Sequence, residues 1–158
     1  VSFFARPIGL AIGIYFTIAF LLKYRLGPAT HRIRRTAGIR VAMPDGVELS
    51  TDLFEPIGGG PHPTLLMRLP YGRSGFAGIA GTYARRGFNV VLQACRGTED
   101  SGGRFNPLVN ERADGLATVA WMRQQAWFDG RLGLTGPSYL GYAAWAIADA
   151  PEVKAMAT

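Results

Sequence analysis

One cysteine, Cys95, and two histidines, His31 and His62, are all that this 158-residue chain carries of the residue types that build disulfides and zinc sites. A single thiol excludes an intrachain disulfide framework. Two histidines with no Cys/His ligand spacing call for no metal, and no motif calls for a cofactor. Acids are missing from the first forty positions, which hold Arg6, Lys23, Arg25, Arg32, Arg34, Arg35 and Arg40. The remaining positions hold ten basic and eleven acidic side chains, so the formal charge of +6 belongs to the N-terminal segment and the body is close to neutral. Nucleic-acid binding needs a basic face on the domain itself and is therefore not expected. Disorder is excluded as well, because an apolar fraction of 48% is ample for a packed core.

A long hydrophobic run is nearly, but not fully, present. Pro7 to Leu22 is free of charge, somewhat short of the ~20 residues that cross a bilayer. Lys23-Tyr24-Arg25-Leu26 completes that length if Lys23 and Arg25 snorkel to the interface. Residues 7–26 are thus expected to associate with a membrane as an anchor. The basic residues that follow would keep the body on the cytoplasmic side. No small-residue cleavage site follows, which speaks against a signal peptide. The alternative is a buried N-terminal helix interrupted by Gly9 and Gly13. The division expected is 1–37, an apolar segment with a basic linker, and 38–158, a partial α/β domain.

The body opens with a hairpin pattern from Gly38 to Pro56, turning at Asp45-Gly46. Apolar runs at Thr64–Leu69 and Phe88–Gln93 read as buried strands, Leu132–Thr135 as a third short strand, and Val153–Ala157 as the beginning of another. Helical spacing falls between them, over Phe76–Arg86, Glu111–Gln124 and Leu140–Ala148. Strands alternating with helices argue a mostly parallel sheet covered on both faces. Trp121, Trp127 and Trp145 are expected in the core, Cys95 as an inert buried thiol, Asp114 as a structural acid, and Arg73 and Arg104 as solvated surface residues.

The chemistry concentrates at Gly133-Leu134-Thr135-Gly136-Pro137-Ser138-Tyr139-Leu140-Gly141. A serine hydroxyl is a poor nucleophile until it is exposed, oriented and paired with a base. A sharp strand-to-helix turn supplies the first two. Gly136-Pro137-Ser138 fits G-x-S-x-G, but Leu140 holds the second glycine position and Gly141 comes one later. Together with Met43-Pro44-Asp45-Gly46-Val47, Leu69-Pro70-Tyr71-Gly72-Arg73, Arg96-Gly97 with Ser101-Gly102-Gly103, Ala113-Asp114-Gly115 and Trp127-Phe128-Asp129-Gly130-Arg131, this elbow resembles the family of cocaine esterase and X-Pro dipeptidyl-peptidases, the CocE/NonD hydrolases. The resemblance runs from about Ile39 to Thr158. It implies an α/β-hydrolase fold cut after the elbow helix, with Ser138 as nucleophile and the Tyr71 hydroxyl and Tyr139 backbone N–H as oxyanion donors. The implied substrate is a small acyl ester, or failing that an X-Pro peptide.

The triad order in such hydrolases is Ser, acid, His. Only Asp149 and Glu152 follow Ser138 as acids, and no histidine does. The expected base and acid therefore lie outside these residues, and the chain alone is expected to be inactive. The alternative is a catalytically incomplete fragment or a membrane-tethered binding module.

Overall fold

The computed structural model describes residues 26–58 and 61–158. The membrane expectation for 7–26 rests on positions that lie almost entirely outside them. Among the described residues no helix is long and apolar enough to cross a membrane. Six strands form one sheet: β1 (Ile33–Ala42), β2 (Glu48–Pro56), β3 (His62–Leu69), β4 (Asn89–Ala94), β5 (Phe128–Thr135) and β6 (Val153–Ala157). Among the described residues three α-helices lie between them, α1 (Ala77–Ala84), α2 (Glu111–Met122) and α3 (Tyr139–Trp145), with a short 3-10 turn at Arg73–Gly75. The spatial order is β1-β2-β4-β3-β5-β6. β1 and β2 are antiparallel to their neighbours, while β4, β3, β5 and β6 run parallel.

The hairpin forms where Asp45-Gly46 was expected to turn the chain, with Gly46 at φ 81° and the Val47 N–H donating to the Asp45 carboxylate. Its first strand starts at Ile33, ahead of Gly38, because Ile33–Thr36 pairs with Leu53–Pro56 across a bulge. β5 likewise starts at Phe128, earlier than Leu132.

Successive residues of the inner strands face opposite sides, as strand geometry requires. Leu66, Val91, Leu132 and Leu134 pack against Val119 and Met122 of α2 and Ala144 and Ile147 at α3. Met67, Leu69, Val90 and Leu92 pack against Ala80 and Ala84 of α1. The mostly parallel, doubly covered sheet that the alternation implied is the fold observed. Trp121 and Trp127 pack against this core with ring centroids 5.8 Å apart. Trp145 departs from expectation and is 64% exposed. Leu140, Ala143, Ala144 and Ile147 occupy the inward stripe, leaving Tyr142 and Trp145 on the outer one.

Arg68 is the most deeply buried cation among the described residues, 3% exposed in the middle of the sheet. Its Nε donates to the Gln93 carbonyl at 2.9 Å, and its Nη1 donates to the Glu111 backbone carbonyl at 2.6 Å. Asp114 lies 3.9 Å from its Nη2 and accepts two hydrogen bonds from Arg96, which also reaches Asp45 in the hairpin turn. Asp114 is structural, as expected: it neutralises Arg68 and ties α2 to the loop after β4. Removing one partner of such a buried set leaves an uncompensated charge. Asp114→Ala is expected to lower stability by about 3–5 kcal/mol, read as a drop in the urea midpoint at unchanged m.

Candidate active site

In an open parallel sheet, ligands bind beyond the carboxyl ends of the strands where the winding direction reverses. Here that point falls between β3 and β5, because the chain winds from β3 out to β4 and then returns to the other side of β3. Leu66 pairs with Leu134. Three residues further along each strand bring Leu69 level with Pro137, so the loop carrying Tyr71 and the turn carrying Ser138 leave the sheet side by side.

The turn is tight. Ser138 adopts φ 58°, ψ −125°, one of three non-glycine residues with positive φ among those described. Such a conformation costs of order 1–3 kcal/mol and persists where the surroundings enforce it. Gly136, at φ 136°, is part of that enforcement, since a Cβ there would lie 2.4 Å from the Leu140 Cβ. The Gly136 N–H donates to the Ala157 carbonyl of β6, and the Tyr142 N–H donates to the Ser138 carbonyl, closing the first turn of α3. Ser138 is exposed at the head of the helix. The Tyr139 N–H, first in the helix, is free to point at a ligand.

The structure thus brings Ser138, Tyr139 and Tyr71 together. The rings of Tyr71 and Tyr139 meet edge to face with centroids 6.5 Å apart. Phe105 and Tyr142 complete an aromatic group around Tyr139. Tyr71 is 58% exposed, and its hydroxyl makes no hydrogen bond to the described residues.

Two supporting residues were not singled out from the sequence. Glu111, buried at the start of α2, accepts a hydrogen bond from the Tyr139 hydroxyl, which in turn accepts from the Leu108 N–H at 3.1 Å. Burial and the Glu111 carboxylate push the Tyr139 hydroxyl above its ordinary value. The second is Glu99, which binds Arg73. Arg73 corrects the expectation of a solvated side chain: it is 11% exposed and enclosed by Glu99, Asp100 and Asp52.

The histidines stand apart. His62 opens β3 while the site lies past its end, about 23 Å away at roughly 3.3 Å per residue. His31 packs on His62 with ring centroids 5.6 Å apart. Asp149 and Glu152 are tied to Arg112 and Arg123.

The family model of X-Pro dipeptidyl-peptidase (S15 family) matches residues 45–158. Cocaine esterase of Rhodococcus sp. (strain MB1 Bresler) is 40% identical over 129 residues, covering 77% of this chain and 22% of that protein. A CocE/NonD family hydrolase of Staphylococcus aureus superposes with TM-score 0.71 at 25% identity, over 78% of this chain and 27% of its own. An aminopeptidase from a marine sediment Thaumarchaeota archaeon shares the fold, with TM-score 0.67 at 23% identity over 84% and 27%. The chain spans about a quarter of the length of these relatives.

Cys95 lies at the end of β4, 1% exposed, where burial pushes its thiol up to about 11. The folded state therefore keeps this proton above pH 9, where the unfolded chain releases it, and the group's contribution to stability falls as pH rises from 9 towards 11. At pH 8, iodoacetamide is expected to leave Cys95 unmodified in the folded protein and to alkylate it fully in 6 M guanidinium, scored by mass spectrometry.

Proposed function

The chain belongs to the X-Pro dipeptidyl-peptidase (S15) family, and we propose that it carries the nucleophile and oxyanion site of a serine hydrolase acting on ester or amide bonds. The observation that carries this reading is Ser138 held exposed at φ 58° between β5 and α3, level with the Tyr71 loop at the switch point of the sheet. In this reading the Ser138 Oγ attacks the acyl carbonyl and expels the alcohol or amine, and water then releases the acyl group. The negative charge that develops on the carbonyl oxygen is met by the Tyr139 N–H and the Tyr71 hydroxyl. Removal of one such donor typically lowers kcat by about 10²–10³.

The general base is the part these residues do not contain. In chain order it would follow the nucleophile, and a histidine positioned by a carboxylate would take the Ser138 proton and pass it to the leaving group. Small acyl esters are the first choice of substrate and X-Pro peptides the second. The exposed serine serves either. The N-terminal apolar segment would tether this site to a membrane.

The alternative reading is a binding module in which the elbow is structural only. A fluorophosphonate probe separates the two. The complete gene product is expected to label, and Ser138→Ala to abolish labelling while circular dichroism stays unchanged. A folded protein that fails to label, in the native sequence, would leave the binding module as the better account.

A further inference from the structure

Among the described residues Tyr71 has no side-chain anchor beyond an edge contact to Tyr139: its hydroxyl makes no hydrogen bond to them and its ring is more than half exposed. Gly72 follows it at φ 97°, a conformation that imposes no side-chain constraint on the loop. An oxyanion donor, by contrast, must hold its position to about 0.5 Å. The order must therefore reach Tyr71 through the backbone, and Arg73, two residues on, supplies it.

Arg73 is gripped from two elements, the loop after β4 and strand β2. The Glu99 carboxylate accepts from both the Arg73 backbone N–H and its Nε, each at 3.0 Å. Asp100 accepts from Nη2 at 2.7 Å, and from β2 the Ser50 hydroxyl accepts from Nη1 at 2.5 Å, with Asp52 3.4 Å away. The same acids are held from β1, Asp52 by Arg35 and Asp100 by Arg40. Burial raises the Asp100 carboxyl, but the Ser50 hydroxyl and the two guanidinium groups outweigh it and leave it below the ordinary range. Glu99 itself sits at φ 48°, with its Oε1 3.4 Å from where a Gly72 Cβ would be. A strained residue whose carboxylate closes on the adjacent loop is over-determined, as positioning devices are.

We propose that Glu99 and Arg73 are positioning residues for Tyr71, their ion pair fixing the loop 70–73 so that the Tyr71 hydroxyl faces the oxyanion position. This rests on the Tyr71 role proposed above. A merely architectural cluster, joining the hairpin to the sheet, would act on stability without passing through Tyr71.

The test is a double-mutant cycle on the complete gene product with a p-nitrophenyl ester, beside amide hydrogen exchange. Glu99→Ala is expected to lower kcat about tenfold to a hundredfold at little-changed KM. In the Tyr71→Phe background the same change is expected to have almost no further effect. Glu99→Gln, which keeps an acceptor for the Arg73 N–H, is expected to recover part of the loss and serves in place of the alanine variant should that fail to fold. Exchange at the Arg73 amide is expected to accelerate in Glu99→Ala. Equal fractional losses in both backgrounds, or unchanged exchange at Arg73, would overturn the positioning role. Turnover that survives Ser138→Ala would instead overturn the nucleophile reading and with it the catalytic meaning of the clamp, whatever the exchange data show.

Discussion

The chain has three residues, Gly136 to Ser138, in which to leave a buried parallel strand and enter a helix that packs back over it. Pro137 removes one N–H from the turn and restricts the residue before it. Gly136 takes the φ of 136° that lets the backbone pass beneath Leu140, and Ser138 is left with φ 58°. Ladder pairing of β5 with β3 and β6 fixes one side of the turn, and the burial of Leu140, Ala143 and Ala144 fixes the other. Relaxing Ser138 would require moving the strand or unpacking the helix, so the fold as a whole maintains the strained serine. Both candidate oxyanion donors take their positions from the same arrangement, one as the next residue and one from the neighbouring strand end.

Beneath that end of the sheet the loops are joined by charge rather than by apolar contacts. Arg68 and Arg96 are set against Asp114 and Asp45, and Arg73, Arg35 and Arg40 against Asp52, Glu99 and Asp100. Loops at a binding site must leave space for a ligand, so they cannot be held by packing into the core. Hydrogen-bonded ion pairs hold them from the side instead. Where the partners are shielded, as at Arg68 and Asp114, removal of one is severe. Where they are open to water, as at Arg40 and Asp100, the Coulomb term is screened and the geometry matters more than the energy.

Much of this was legible in the sequence, for identifiable reasons. The strands are short apolar runs bounded by turn residues, so Thr64–Leu69 and Phe88–Gln93 stand out, and the turn at Asp45-Gly46 follows from local backbone preference alone. Ser138 and Tyr71 were singled out because they lie in contiguous motifs. What stayed hidden depends on residues far apart in the chain. Glu111 and Tyr139 are separated by 28 positions and Arg73 and Glu99 by 26, and no periodicity links either pair. Trp145 misled for a related reason: an alanine-rich helix of only seven residues shows too little of a stripe to tell its inner face from its outer one.

The neutrality of the two ion clusters has a consequence for the chemistry proposed. Three cations face three anions around Arg73, and two face two around Arg68. A single unpaired acid at the position of Glu99 would oppose the negative charge that develops on an attacked carbonyl. An unpaired arginine would attract anions that compete with a neutral ester. Closed pairs avoid both effects: these two clusters hold the loops while adding little net field of their own. Oriented dipoles, the Tyr139 N–H and the Tyr71 hydroxyl, are the groups proposed to distinguish the developing oxyanion from the uncharged substrate. That distinction, stronger binding of the transition state than of the ground state, is what a hydrolase requires of its rigid half.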